Sequence, residues 1–232
     1  MKGYSDPRLS KYFQQSEYGE AGDKFHGARL GVNVTDKKNY LKLSSPNVFA
    51  ETPVQWMCAA EIYFLRAEGK LHGWDMGGEV EELYNAGITK SFEQWGVALD
   101  DYLTRGDTYK PVRFTAPAGT SGSVAAASTI TIAWNKNDSD DKKLERIITQ
   151  KWIAMFPEGQ EAWSEHRRTG YPKLFSLYGT NASAGQVESS GPRRIPFPST
   201  EYDTNTTEVN KAVTDFLGGT DYGKVKLWWD KK

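Results

Sequence analysis

Apolar residues recur at helical spacing in several stretches of the chain, separated by long segments without a period. The first stretch predicts a helix from 54 to about 72, with Met57, Ala60, Phe64, Ala67 and Leu71 on one face and Trp56, Ala59, Tyr63 and Arg66 on a neighbouring stripe. So wide an apolar arc exceeds the ~100° of a simple surface helix, so this helix is expected to be sandwiched between partners. Thr52-Pro53 supplies a cap-type residue and a proline suited to the first turn. Glycines 73, 77 and 78 interrupt the pattern, and Val80, Leu83, Tyr84 and Ile88 resume it over 79–88. Ser91 with Gln94 reads as a capping box for a third helix, carrying Phe92, Trp95, Leu99, Tyr102 and Leu103 and ended by Gly106. Asp138, Asp140 and Asp141 put negative charge where a fourth helix would begin; Leu144, Ile147, Ile148, Trp152 and Met155 mark its face and Pro157 ends it. A shorter helix over 158–168 carries Trp163, and a last one over about 204–217 carries Val209, Ala212, Val213 and Phe216.

Short turns between helices imply antiparallel neighbours. The stretch 56–88 has about the length of one tetratricopeptide repeat and 144–168 forms a second helix pair, although the repeat consensus is matched only loosely. The expected fold is therefore mainly α, with TPR-like antiparallel helix pairs, long irregular loops and minor β. Within it, 1–51 is loop-rich with a short hairpin, 52–106 is helical and 107–137 is a loop insertion ending in the strand-like Ile130, Ile132 and Trp134. Residues 138–170 form a helix pair, and 171–232 hold a loop, the final helix and a strand-like tail at 226–229.

Composition narrows the function. The 232 residues carry 29 Lys+Arg against 30 Asp+Glu, so no basic surface recommends nucleic acid or anionic lipid. One cysteine and three scattered histidines exclude a disulfide framework and structural zinc; no metal or cofactor is expected. No run is long and apolar enough to span a bilayer. The aromatic share is 13%, with 8 Trp, enough to build a heavy core or to offer flat faces to sugar rings. Trp56, Trp95, Trp152 and Trp163 sit at helix positions and are expected in the core, while Trp74, Trp134, Trp228 and Trp229 lie at ends or loops.

No nucleophile elbow, phosphate loop, dinucleotide fingerprint or zinc-protease motif is present, which argues against an enzyme. Glu61 and Glu68 share a predicted helix, but a seven-residue offset separates them by about 10 Å, beyond the ~5 to 5.5 Å of retaining glycosidases and at the edge of the inverting range. Ion pairing with residues such as Arg66 is the expected role. The Arg167-Arg168 and Arg193-Arg194 pairs are expected to pack on aromatics or bond loop carbonyls, rather than to bind a phosphate or carboxylate ligand. In the first fifty residues, Tyr18, Phe25, His26, Arg29, Asn33 and Tyr40 combine planar and amide side chains on loops, which suits either stacking and hydrogen bonding to a sugar or an ordinary surface loop.

Several ordered motifs carry a resemblance: DPRL at 6–9, AAEIYFLRAE at 59–68, LYNAGI at 83–88 with SFEQWGV at 91–97, ITQKWIAMF at 148–156, EAW at 161–163, RRTGYP at 167–172, RRIPFP at 193–198 and LWWD at 227–230. The chain resembles the C-terminal part of the SusD/RagB family of outer-membrane nutrient-binding lipoproteins of Bacteroidota. The resemblance implies non-catalytic capture of oligosaccharide or another nutrient at the outer-membrane surface, with delivery to a SusC-like TonB-dependent transporter. It implies no nucleic-acid partner, and membrane association only through a lipid anchor that this chain lacks. Family members are normally about twice as long and begin with a signal peptide and a lipidated cysteine, so the chain is expected to be a fragment with Met1 a cloning start. The alternative is a helical scaffold that docks the transporter and holds no complete ligand site.

Overall fold

The structure is a computed structural model that describes residues 1–19, 22–32, 34, 36–178 and 185–230. It is mainly α, and it divides into two compact units. The larger comprises Met1–Ala28 and Asp36–Leu174; the smaller comprises Arg29–Thr35 and Phe175–Lys232.

The larger unit holds the short helices α1 (Leu9–Tyr12) and α2 (Lys37–Tyr40), then the long helices α3 (Ala59–Leu71), α4 (Val80–Trp95), α5 (Asp140–Ala154) and α6 (Gly159–Thr169). α3 and α4 run antiparallel: Arg66 near the end of α3 donates to the Met76 carbonyl at 2.9 Å, and Gln94 at the end of α4 donates to Gln55 ahead of α3 at 2.6 Å. At mid-helix Gly87 lets α4 approach so closely that a Cβ there would stand 2.8 Å from the Phe64 ring. The core joins Ala60, Phe64 and Ala67 of α3 to Leu83, Tyr84, Ile88 and Phe92 of α4 and to Leu144, Ile147 and Ile148 of α5. These are the apolar faces that the helical periodicity marks, paired as TPR-like units.

Several boundaries differ from the sequence expectation for local physical reasons. α3 begins at Ala59 rather than 54, because the Thr52 hydroxyl is engaged by the Phe49 amide at 2.8 Å and caps no helix. The expected third helix does not start at Ser91. α4 runs through that position, opened by a reciprocal Glu79/Glu82 capping box and closed by Gly96 at φ +59°. Ser91 is instead buried inside α4 and accepts a hydrogen bond from Arg8 at 2.8 Å, while Tyr102 falls in a single 3-10 turn. α5 keeps its expected start, where the Ser139 hydroxyl accepts from the Lys142 amide and Asp140 and Asp141 fill the first turn.

Among the described residues, isolated bridges pair Phe13 with Pro46, Phe114 with Val124 and Glu188 with Gly191. Among the described residues of the first fifty no hairpin forms, and neither 130–134 nor 226–229 is a strand. The alternating Ile130 and Ile132 are buried because two core tyrosines capture their carbonyls, Tyr4 at 3.0 Å and Tyr84 at 2.7 Å. Phe114 and Val124 exchange both backbone hydrogen bonds at 2.9 Å, closing the excursion 115–123.

Trp56 departs furthest from expectation, at 92% exposed rather than in the core. Trp95, Trp152 and Trp163 are half-buried. Trp74 and Trp228 are exposed as expected, whereas Trp134 packs on Tyr84 with ring centroids 5.2 Å apart.

The smaller unit contains α7 (Ser199–Thr204) and α8 (Thr206–Leu217), with Val209, Val213 and Leu217 packed on Phe197, Tyr202, Val225 and Leu227. Arg193 is ion-paired with Asp230, and Arg194 with Asp221. Both arginines therefore anchor loops, through carboxylates rather than the expected carbonyls.

Candidate functional site

In the larger unit, backbone bonds lace together segments distant in sequence: Gln14 to Ser45 at 2.8 Å, Ser16 to Lys24 at 2.8 Å, Glu17 to Lys42 at 2.9 Å and Ser44 to His26 at 2.8 Å. This lacing brings Tyr18 and His26 together edge to face, with ring centroids 6.1 Å apart. The Tyr18 hydroxyl donates to the Asn39 carbonyl at 2.7 Å, which ties it to α2 one residue before Tyr40. His26 Nε2 donates to the Asp23 carbonyl at 3.1 Å, and the Asp23 carboxylate accepts from Lys2 at 2.6 Å. The Lys42 ammonium lies 5.9 Å from the Tyr18 ring centre. Asn39 reaches on to the Gly119 carbonyl at 3.3 Å, so the 115–123 excursion borders the same place. Tyr18, Phe25, His26 and Tyr40 are all half-buried. Tyr18 and His26 thus form one ring pair with an ammonium and a carboxylate nearby, chemistry suited to stacking a ring and bonding its hydroxyls.

The other two expected site residues are not part of this arrangement. Arg29 belongs to the smaller unit, where its guanidinium donates to the Ser176 carbonyl at 2.7 Å and hydroxyl at 2.8 Å and lies 5.5 Å from the Tyr178 ring. Asn33 lies outside the described residues.

Trp152 and Trp163, expected in the core, belong instead to a second aromatic feature. Trp152, Trp163, Phe156 and His166 line a groove of about 360 Å³ at the α5–α6 corner, and Arg167 covers Trp163 at 3.8 Å. Amphipathic spacing alone did not separate a Trp facing the core from one lining a groove.

The carboxylates considered for glycoside hydrolysis are held in ion pairs. Glu68 takes both arms of Arg168, at 2.6 and 2.7 Å, and Arg168 also donates to Glu165 at 2.7 Å. The buried Lys151 ammonium lies 3.2 Å from Glu165 and 3.6 Å from Glu61. The expected partner Arg66 instead serves the turn carbonyls of Met76 and Gly77. Burial alone would raise the Glu165 carboxyl, but the hydrogen bond from Arg168 and the charge of Lys151 together hold it below its ordinary value. At Glu61 burial prevails and pushes the carboxyl up. This cluster links α3, α5 and α6 as a scaffold.

Asp6 and Arg8, which the DPRL motif contains, have a buried setting that no sequence pattern marks. Arg8 is fully buried, with Asp6 accepting from its Nε at 3.0 Å and its Nη2 at 2.7 Å, and with Ser91, Tyr102 and Gln150 around it. Its guanidinium also lies 4.6 Å from the Phe92 ring centre.

A family model described as Susd and RagB outer membrane lipoprotein matches residues 1–230. A solved SusD homologue from Bacteroides uniformis is 42% identical with a TM-score of 0.91, the match covering 100% of this chain and 48% of that one. One from Bacteroides thetaiotaomicron is 39% identical with a TM-score of 0.89, covering 100% and 50%. A structure described as a chitin-binding SusD homolog, from Flavobacterium johnsoniae, is 42% identical with a TM-score of 0.88, covering 99% and 47%. The chain thus spans about half the length of these relatives. Comparison with curated proteins gave no match.

Proposed function

The chain belongs to the SusD-like family of SusD and RagB outer-membrane lipoproteins, and from that membership we propose that it binds oligosaccharide nutrients at the bacterial cell surface, lipid-anchored in its full-length form, and passes them intact to a SusC-like TonB-dependent transporter. The observation that carries this reading is the match over 99% of the chain, at 42% identity, to a homologue described as chitin-binding. Tyr18 and His26 supply the stacking faces in this reading, Phe25 and Tyr40 flank them, and Lys42 and Asp23 bond the hydroxyls. Ion pairing of Glu61, Glu68 and Glu165 with Lys151 and Arg168 fits binding without turnover.

Calorimetric titration against chitin oligosaccharides and a panel of plant and bacterial glycans, with chromatography of the sugar afterwards, tests the proposal. Saturable binding with the sugar recovered intact is expected; release of a shortened product overturns it. A second reading, a scaffold that docks the transporter without a complete ligand site, is favoured by the chain's spanning about half of its relatives. Co-purification with the transporter in the absence of any sugar binding would select it.

A further inference from the structure

Residues between 106 and 173 of the larger unit line a cavity of about 590 Å³ beside the start of α5. That size falls within the ~300–1,000 Å³ of small-molecule sites. Two buried charged side chains, Glu145 and Arg146, stand in its wall. Glu145 is held by the Ser128 hydroxyl and by Lys173 at 3.5 Å. Arg146, only 3% exposed, donates to Asp138 at 2.8 Å and to the Thr131 carbonyl at 3.1 Å. Its remaining nitrogen, Nη1, is buried without an acceptor. An unbonded guanidinium N–H is costly, so an occupant with oxygen acceptors is favoured at this end of the cavity.

Charge on the wall is nearly balanced, with Asp107, Asp138, Asp141 and Glu145 against Lys142, Arg146 and Lys173. An added anion would meet more carboxylates than cations. An added cation would find Asp138, Asp141 and Glu145 already partnered, Asp141 by the Tyr171 hydroxyl at 2.7 Å. The fitting ligand is therefore neutral and rich in hydroxyls, each able to accept from a cation and donate to a carboxylate. Thr129, Asn135 and Ser139 add further polar groups, and the half-buried Trp134 adds an indole ring on which a sugar can stack. Trp134 also lines a groove of about 380 Å³ with Val80 and Lys136, so one indole serves two hollows, which suits successive rings of a linear sugar. We propose that this cavity, with Trp134, Asp141 and Arg146 in its wall, is a second saccharide site of the larger unit and takes neutral, linear oligosaccharides. The inference stands on the cavity's own chemistry and does not require the Tyr18–His26 pair to bind sugar.

The test labels the full chain with 5-fluorotryptophan and follows its 8 indoles by fluorine NMR, with Trp134→Phe and Trp74→Phe assigning two of the lines. Maltotriose, cellotriose, mannotriose and xylotriose are the probes. At least one of them is expected to shift the Trp134 line saturably, in Tyr18→Ala as in the wild type, while the line of the exposed Trp74 stays in place. Thr129→Tyr, which narrows the cavity from an exposed position in its wall, should weaken that response by about tenfold or more at an unchanged melting temperature. A Trp134 line that no probe moves overturns the proposal, as does a full response in folded Thr129→Tyr. A shift abolished by Tyr18→Ala would assign the response to the other ring pair, and a shift produced by acetate but by no sugar would assign the cavity to anions; either overturns the proposal. A calorimetric affinity unchanged in Tyr18→Ala would count against the Tyr18–His26 reading and leave this one standing.

Discussion

Arg168 grips both oxygens of Glu68, at 2.6 and 2.7 Å, across a hundred residues of sequence, and so fastens the end of α6 to α3. The carboxylate is buried while the guanidinium side chain is 45% exposed, so water can replace part of what the arginine supplies. Arg168→Met should lower stability by about 1–3 kcal/mol, because it leaves the buried Glu68 without its two-armed partner, while Glu165 keeps only Lys151 at 3.2 Å. Arg168→Lys should fall between, since an ammonium keeps the charge but not the two-armed fork. Urea denaturation of the three proteins checks the order.

The Asp6–Arg8 pair has no such access to water, both side chains being fully buried. Arg8→Met alone should cost about 3–5 kcal/mol by leaving Asp6 charged and unpaired. The double variant Asp6→Leu/Arg8→Met should lose less than the sum of the single changes, and a double-mutant cycle in urea measures the difference.

Gly87 sets the distance between α3 and α4. Alanine improves helix propensity by about 1 kcal/mol, yet its methyl group would stand 2.8 Å from Phe64, which has no room to retreat in the core. Overpacking should prevail, with a net loss of about 1–2 kcal/mol. Phe64→Leu in the same chain should recover part of it, read as melting temperature.

In the smaller unit, burial alone would raise the Asp221 carboxyl, but bonds from Arg194, the Tyr202 hydroxyl and the Phe197 amide together hold it below its ordinary value of 3.8. A carboxylate depressed in the folded state stabilises fully above its unfolded pKa, and that contribution disappears as pH falls through the folded value. The melting temperatures of wild type and Asp221→Asn should therefore differ most at neutral pH and converge below about pH 4. A difference independent of pH would show that the ion pair does not act this way.

Removing the rings of the proposed pair should act on binding rather than stability. Tyr18→Ala and His26→Ala should each weaken oligosaccharide affinity by about tenfold, the loss of one stacking contact. Calorimetry reads the affinity, and an unchanged melting temperature separates the effect from unfolding.

The helices were legible where capping and periodicity agree, as in α5 with Ser139, Asp140 and Asp141 at its start and Pro157 beyond its end. Ser91-x-x-Gln94 carried the same local signal and misled, because a distant partner, Arg8, had claimed the serine hydroxyl inside α4. Trp56 misled for a related reason: helical spacing reports which residues are apolar, not whether anything covers them. At the candidate site, Tyr18 and His26 do meet, but through bonds between segments some twenty residues apart that leave no periodic trace. Arg29 parted from them because 29–35 crosses into the smaller unit and joins residues after 174, a rearrangement of chain order that no local pattern encodes.

The clamp between Phe114 and Val124 gives the intervening residues a freedom that the helices lack. Residues 115–123 begin and end at one point of the scaffold and touch α2 through Asn39. Such a segment behaves as a cassette: it can be replaced, lengthened or grafted between its two anchors without disturbing the core, while whatever it carries is delivered beside Tyr18. Evolution and the protein engineer thus have the same handle on what this surface recognises.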